Sequence, residues 1–313
     1  MDLNVKIGII IPYYNGDEFI ESCLESIKLN YANNLKVYII NNSDRATNIH
    51  SIANAYDWVR VYDTKKRIGF GKANNIGAEL AISNGADIII SINQDAVIDK
   101  DCIKELLAPF QIDSDIHITA PICLIKINSI GSNFIKFYLS QCPEIVSDSL
   151  YRTIKLYYQV NSISGACFAI RTSTIKSVGL FDPLYFMYFE DDDLCRRIRY
   201  INKKIVIVTN AKVMHLSRVD AKFDYSEYYS YNDTPRLKRA SKDIYILKEI
   251  NKSLIINVLI ILRNKIVDII NIVGQFKMGT LFRYFVDDIR MVLILNKIIK
   301  SRNIEKNILT ANK

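Results

Sequence analysis

Residues 87–95 read Asp-Ile-Ile-Ile-Ser-Ile-Asn-Gln-Asp, and this stretch decides the fold. Ile88, Ile89, Ile90 and Ile92 make a short, nearly continuous β-branched run, the pattern of a strand buried on both faces. It stops abruptly at three polar residues, Asn93, Gln94 and Asp95. Just upstream, Ala73, Ile76, Gly77, Leu80 and Ala81 recur at the three- and four-residue spacing of a helix. Further out, Val5 to Ile11 reads as a strand, Asp17 to Leu29 as a helix, and Lys36 to Ile40 and Val59 to Tyr62 as strands. This alternation predicts an α/β domain with a mainly parallel sheet. In such sheets ligands bind beyond the carboxyl ends of the strands, which places Asp95 where chemistry is expected.

Downstream, residues 129–158 are irregular and Tyr-rich and read as a long loop or insertion of the kind that shapes a substrate pocket. A strand is expected through Ser164 to Ile170, a short helix ending at Gly179, a helix from Glu190 to Asn202, and two strands ending near His215. Residues 220–235 are polar and aromatic and read as a mobile connection. The expected division is a catalytic domain over 1–235 and a basic helical region over 236–313. In the latter, residues 253–274 are strongly apolar, but Asn257, Asn264, Asp268 and Asn271 form one polar stripe and Arg263 and Lys265 interrupt the run. That is an amphipathic helix rather than a spanning one, and its wide apolar face suits either packing or a membrane surface.

The chain has 313 residues, half of them hydrophobic, with 11 glycines and 6 prolines, which excludes disordered and collagen-like classes. The segment before Pro12 lacks the basic and small-residue flanks of a signal peptide. Six scattered cysteines form no CxxC pair, and a reducing cytoplasmic location is expected. The formal charge of +8 is uneven: residues 236–313 carry 16 Lys+Arg against 6 Asp+Glu. Such a basic end suits an anionic partner, and the apolar face beside it favours a lipid surface over nucleic acid.

Moving a sugar off a nucleotide diphosphate requires neutralising the departing diphosphate, reading the nucleotide and removing a proton from the acceptor. Asp95 at a strand end is a natural oxygen ligand for a divalent cation bridging two phosphates. A lone histidine is ordinarily a core or surface residue, yet His215 ends another expected strand and would complete the coordination. Residues 186–199, Phe-Met-Tyr-Phe-Glu-Asp-Asp-Asp-Leu-Cys-Arg-Arg-Ile-Arg, place four acids at a helix start. Acids there stabilise the helix dipole, and one held among the preceding aromatic residues can serve as a general base. Residues 67–77 carry glycines in a GxGx5G pattern, not the GxGxxG of a dinucleotide site, and read as a loop whose backbone approaches a nucleotide.

In order, Ile9-Ile10-Ile11-Pro12-Tyr13-Tyr14-Asn15, Gly69-Phe70-Gly71 with Asn75 and Gly77, Asn93-Gln94-Asp95, Ser164-Gly165-Ala166-Cys167, Phe181-Asp182, Phe189-Glu190-Asp191-x-Asp193-Leu194 and His215 resemble the family 2 glycosyltransferases. The resemblance is nearest to their bacterial rhamnosyltransferase-like branch and spans roughly residues 5–218. It implies a GT-A fold, a Rossmann-like sheet with helices on both faces, and an inverting single displacement with Mg2+ or Mn2+. Carried over by motif, Asp191 becomes the base and Asp95 and His215 the metal ligands. Pro12, Tyr14, Asn15, Asn41, Asp44, Gly69, Asn75 and Asn93 become the donor and nucleotide side, and Glu190, Gly165 and Ala166 the acceptor side. Two departures stand out. Asn41, followed by Asn42-Ser43-Asp44, replaces the base-reading Asp, and Asn-Gln-Asp replaces DxD.

The resemblance further implies a nucleotide diphosphate sugar donor, rhamnose or another hexose, and a glycan or lipid-linked acceptor. It places the reaction in bacterial surface polysaccharide synthesis, such as O-antigen, capsule or lipopolysaccharide, at the inner face of the cytoplasmic membrane. The basic tail suits an anionic membrane surface there, and the C-terminal helices offer a homo-oligomer contact. The alternative is a catalytically degenerate GT-A domain serving as an assembly subunit, a reading favoured by the single carboxylate at the metal motif.

Overall fold

The structure, a computed structural model, describes residues 5–30, 32–64, 66–126, 129–130, 132–216, 233–274 and 278–311. The first half runs β1 (Ile7–Tyr13), α1 (Asp17–Lys28), β2 (Leu35–Asn41), α2 (Ile49–Ala53), β3 (Val59–Asp63), α3 (Phe70–Ser83) and β4 (Ile88–Ile92). Then come β5 (Ala96–Ile98), α4 (Cys102–Ile112), β6 (Ile116–Lys126), β7 (Ser129–Ile130), α5 (Ser132–Leu139) and α6 (Glu144–Leu150). The catalytic half closes with β8 (Tyr157–Val160), β9 (Cys167–Arg171), α7 (Thr172–Val178), α8 (Glu190–Tyr200) and β10 (Lys204–His215). Three helices follow: α9 (Asp233–Leu247), α10 (Leu254–Gly274) and α11 (Met278–Ala311).

One sheet runs β3-β2-β1-β4-β9-β6-β10-β5, with β7 on β6 and β8 on β10. Strands β3, β2, β1 and β4 are mutually parallel, as the βαβ rhythm requires. Beyond β4 the sheet is mixed rather than mainly parallel: β9 lies antiparallel between β4 and β6, and β10 runs parallel to β6. A fully buried apolar strand reads the same in either direction, so the run gives burial but not polarity. Ile9, Ile10, Ile11, Ile39, Ile40, Ile89, Ile90 and Ile92 are completely buried and form the centre of the core.

Three expectations are corrected. Residues 129–158 are not one loop but hold α5 and α6, the latter beginning after Pro143, whose fixed φ suits a helix start. None of the α6 side chains is buried, so the segment lacks the apolar stripe by which a helix is read from sequence. The strand expected from Ser164 begins at Cys167, and the two strands expected before His215 are one long strand with a bulge between Val208 and Lys212. The connection expected over 220–235 lies outside the described residues up to 232, and the division expected at 235/236 falls within α9.

The C-terminal helices pack on the body around a buried ionic centre. Lys248, fully buried just past α9, donates to Asp182 at 2.5 Å and Asp193 at 3.3 Å and pairs with Glu305 of α11. Arg196 and Arg197 of α8 both bind Asp193, at 2.6 and 3.0 Å. The orientation of α10 is the reverse of a core-facing helix. Asn257 is fully buried, donating to the Glu249 carbonyl at 2.8 Å, and Lys265 and Asp268 pair with residues of α9 and α11. The apolar face points outward, with Ile255 73% and Ile270 63% exposed. Beside it α11 exposes Phe285, Ile289, Val292 and Leu293.

Candidate active site

The carboxyl ends of β1 and β4, the start of α8 and the end of β10 surround a cleft of about 300 Å3. Gln94 fixes one wall: it accepts from the Tyr14 amide at 2.7 Å and donates to the Tyr14 carbonyl at 3.0 Å, joining the loops after β1 and β4. The antiparallel pairing of β5 with β10 sets His215 opposite Ala96 and brings its Nδ1 to 3.4 Å from Asp95 Oδ2. Asn93 Nδ2 lies 3.3 Å from His215 Nε2, while its Oδ1 is buried without a hydrogen-bond partner. Asp95, His215 and Asn93 thus point oxygen and nitrogen atoms into one corner of the cleft.

On the facing side, α8 begins after two consecutive residues in the left-handed region, Tyr188 at φ 70° and Phe189 at φ 65°. Such backbone persists only where its surroundings over-determine it. Here Phe70 N donates to the Phe186 carbonyl at 3.1 Å, and Ser241 Oγ donates to the Met187 carbonyl at 2.7 Å. Gly69, at φ 89°, is required for the first contact, since a Cβ there would stand 2.4 Å from the Phe186 carbonyl oxygen.

The bend presents Glu190 and Asp191 to the cleft. Asp191 Oδ2 accepts from the Gly165 amide at 2.9 Å and Oδ1 from the Asp192 amide at 3.0 Å. Burial raises the Asp191 pKa, and these amides oppose the rise. Glu190 is pushed up to about 8, by burial first and by the Asp191 charge second. The two neighbouring carboxyls therefore oppose each other's ionisation. Asp192 is raised to about 6 by burial and by Asp191. Asp193 goes the other way: burial would raise it, but Lys248, Arg197 and Arg196 hold it well below the usual carboxylate range.

Of the residues expected at the site, Pro12, Tyr14, Gly69, Asn93, Asp95, Gly165, Ala166, Glu190, Asp191 and His215 line the cleft. Four do not. Asn15 and Asp44 bond to each other at 2.9 Å, and Asp44 accepts from Tyr14 Oη at 2.7 Å, so both brace the tyrosine from behind. Asn41 donates to Asp63 at 2.6 Å across the β2–β3 pair, leaving Asn42 on the cleft wall. Asn75 clamps α3 to the loop before α8, exchanging two hydrogen bonds with the Phe181 backbone at 2.7 and 3.0 Å. Gly165 does more than leave room: its amide holds Asp191, and a Cβ would sit 3.2 Å from Asp191 Oδ2. Among the lining residues outside that expectation, two bear on the chemistry. Gln94 is the bridge described above, and the Arg67 guanidinium lies 4.4 Å from the Tyr14 ring centroid. Arg67 heads the glycine-containing loop, and a cation before such a loop was the available signal.

The model of the family described as glycosyl transferase family 2 matches residues 8–179. The chain belongs to glycosyl transferase family 2. A hexosyltransferase of low-salt glycan biosynthesis, Agl10 of Haloferax volcanii, is 22% identical to this glycosyltransferase over 250 residues, 76% of each chain. An N-acetylglucosaminyl-diphospho-decaprenol L-rhamnosyltransferase of Mycobacterium tuberculosis is 43% identical over 56 residues, 18% of each chain. Among solved structures, GalNAc-T7 with UDP, GalNAc and Mn2+ superposes with a TM-score of 0.57 at 16% identity. The alignment covers 79% of this chain, which spans about half of that structure, 51%. The S. aureus TarS 1-349 structure gives 0.53 at 16% identity, covering 82% of this chain and 69% of that one. The glycosyltransferase thus has the GT-A fold. Its base candidate Asp191 and ligand candidate His215 lie beyond the matched residues, on elements that the fold folds back against the Asn-Gln-Asp corner.

Proposed function

We propose that this glycosyltransferase transfers a hexose, rhamnose being the leading candidate, from a nucleotide diphosphate to an acceptor hydroxyl with inversion at the anomeric carbon. The observation that carries the proposal is one cleft with two chemically distinct corners: Asp95, His215 and Asn93 on one side, and Asp191 with its paired Glu190 on the other. The ionised Asp191 carboxylate, oriented by the Gly165 amide, takes the acceptor proton as the hydroxyl oxygen attacks the anomeric carbon. The bond from that carbon to the diphosphate oxygen breaks on the opposite face, and the configuration inverts.

The oxygen and nitrogen donors of Asp95 and His215, with the unpartnered Asn93 Oδ1 beside them, fit a divalent cation that leaves positions for substrate phosphate. When bound there, Mg2+ or Mn2+ would neutralise charge developing on the diphosphate. Tyr14, Asn42 and Gly69 line the nucleotide side, and Arg67 brings a fixed cation to it.

The acceptor is proposed to be lipid-linked, and the reaction to belong to surface glycan synthesis at a membrane. The mycobacterial relative named for a decaprenol diphosphate acceptor and the outward apolar face of α10 support this reading. No helix of the described residues is long and apolar enough to cross a membrane, so contact would be at its surface. The test is a panel of dTDP-rhamnose, UDP-hexoses and GDP-sugars with Mn2+, read by thermal shift and then by transfer or donor hydrolysis. Stabilisation by one donor with turnover is expected. Donor binding without turnover on any acceptor would favour the degenerate assembly domain.

A further inference from the structure

One stripe of α9 lies along the strained bend that precedes α8. Lys238, Ser241 and Tyr245 recur at three- and four-residue spacing and so share a face of the helix. The Lys238 ammonium lies 4.9 Å from the Tyr188 ring centroid, Ser241 Oγ donates to the Met187 carbonyl at 2.7 Å, and the Tyr245 ring stands 5.6 Å from that of Phe189. Three residues of one helix thus meet three consecutive residues of the bend. Tyr245 is itself held, its carbonyl accepting from Arg196 at 2.6 Å and its ring lying 4.2 Å from that guanidinium.

Ser241 is the informative member of the stripe. A serine inside a helix ordinarily faces solvent or returns its hydroxyl to its own helix, whereas Ser241 is 4% exposed and donates to a carbonyl 54 residues upstream. The two residues after that carbonyl, Tyr188 and Phe189, have positive φ, and Asp191 follows with its Oδ2 2.9 Å from the Gly165 amide. Left-handed backbone at two consecutive aromatic residues relaxes unless something outside the bend holds it. A relaxed bend would swing the first turn of α8 and carry Asp191 away from Gly165. A displacement of about 1 Å at a reacting group is enough to slow a reaction severely.

We propose that Ser241 is a positioning residue for transfer: through the Met187 carbonyl it sets the direction in which α8 starts, and with it the place of the Asp191 carboxylate against the acceptor hydroxyl. The C-terminal helices, which lie beyond the matched residues 8–179, thereby contribute to the active site without touching substrate. The inference rests on Asp191 as the base of the proposed function and adds the residue that aims it.

The experiment compares the full wild-type chain with Ser241→Ala and with Ser253→Ala, a serine at the start of α10 whose hydroxyl accepts from the Ile256 amide at 3.2 Å, away from the bend. Deuterium exchange over residues 186–193, read by mass spectrometry without substrate, should rise in Ser241→Ala alone. With Mn2+ and the donor selected by the sugar-nucleotide panel, Ser241→Ala should lower kcat on the order of tenfold at unchanged donor KM and UDP–Mn2+ affinity. Ser253→Ala should lose comparable stability and keep its kcat. In the Asp191→Asn background, adding Ser241→Ala should cause no further loss, because the group it aims is gone. Unaltered exchange over 186–193 in Ser241→Ala, a kcat loss matched by Ser253→Ala, or an additive loss in the double variant would each overturn the assignment. Full turnover by Asp191→Asn would instead defeat the base reading, and the positioning role with it.

Discussion

Asp191 is the residue on which the proposed chemistry turns, and its replacement separates chemistry from binding. Asp191→Asn keeps the hydrogen bond from Gly165 but removes the base, so transfer should fall by about 10²- to 10⁴-fold while UDP–Mn2+ affinity is retained. Unchanged turnover would remove Asp191 from the mechanism. Its neighbour gives a pH signature. Activity requires ionised Asp191 and is lost as pH falls through its raised pKa, whereas a second change near pH 8 is expected as Glu190 ionises. Glu190→Gln should abolish the alkaline change in the kcat/KM profile and leave the acid limb in place. Asp95→Ala should weaken UDP binding with Mn2+ but leave metal-free binding unaltered, which calorimetry with and without EDTA reads directly. At this scale the sequence was most legible where an ionisable side chain stands at the end of a strand or the start of a helix: Asp95, Asp191 and His215 meet in one cleft. It was least legible for the asparagines, whose amides serve backbone clamps as readily as ligands. Asn75 finds its partner at Phe181, more than a hundred residues away, and no local pattern foretells that.

At the scale of elements, α8 joins two functions, because it presents the proposed base Asp191 to the cleft and is locked to the C-terminal helices. Breaking a buried ion pair by removing one partner typically costs about 3–5 kcal/mol, so Lys248→Met should lower stability by that order in a denaturant titration. The pH dependence has a definite sign. Asp193 has a depressed folded-state pKa, so its contribution is fully present above the ordinary Asp value of about 3.9 and is lost as pH falls through the lower folded value. Lys248→Met reduces that depression and should move acid unfolding to higher pH; an unmoved acid midpoint would show that Lys248 does not hold Asp193. The parallel strands β1 and β3 were readable because each is followed by a long helix, and β4 because its apolar run is nearly continuous. The direction of β9 and the helix α6 were not, the former because a buried run has no polarity and the latter because it buries too little to show a stripe. For α10 the periodicity was legible but its facing was left open, and ion pairs draw the polar stripe inward.

Across the whole molecule, α10 and α11 each expose apolar side chains on a region carrying 16 Lys+Arg against 6 Asp+Glu. Anionic vesicles should therefore sediment the protein, and Leu259→Glu with Ile266→Glu should release it without altering UDP–Mn2+ binding. Sedimentation unchanged by both substitutions would place the contact elsewhere. The ionic lock has a consequence for how such enzymes diversify. Because the ionic centre joins Asp193, Arg196 and Arg197 of α8 to Lys248 past α9 and Glu305 of α11, the tail cannot be traded between homologues as a free module. A chimaera that keeps the catalytic half and takes another tail would strand Asp193, Arg196 and Arg197 unless the incoming helices bring matching charges. Catalytic helix and tail are therefore expected to be inherited together, as one recombination unit.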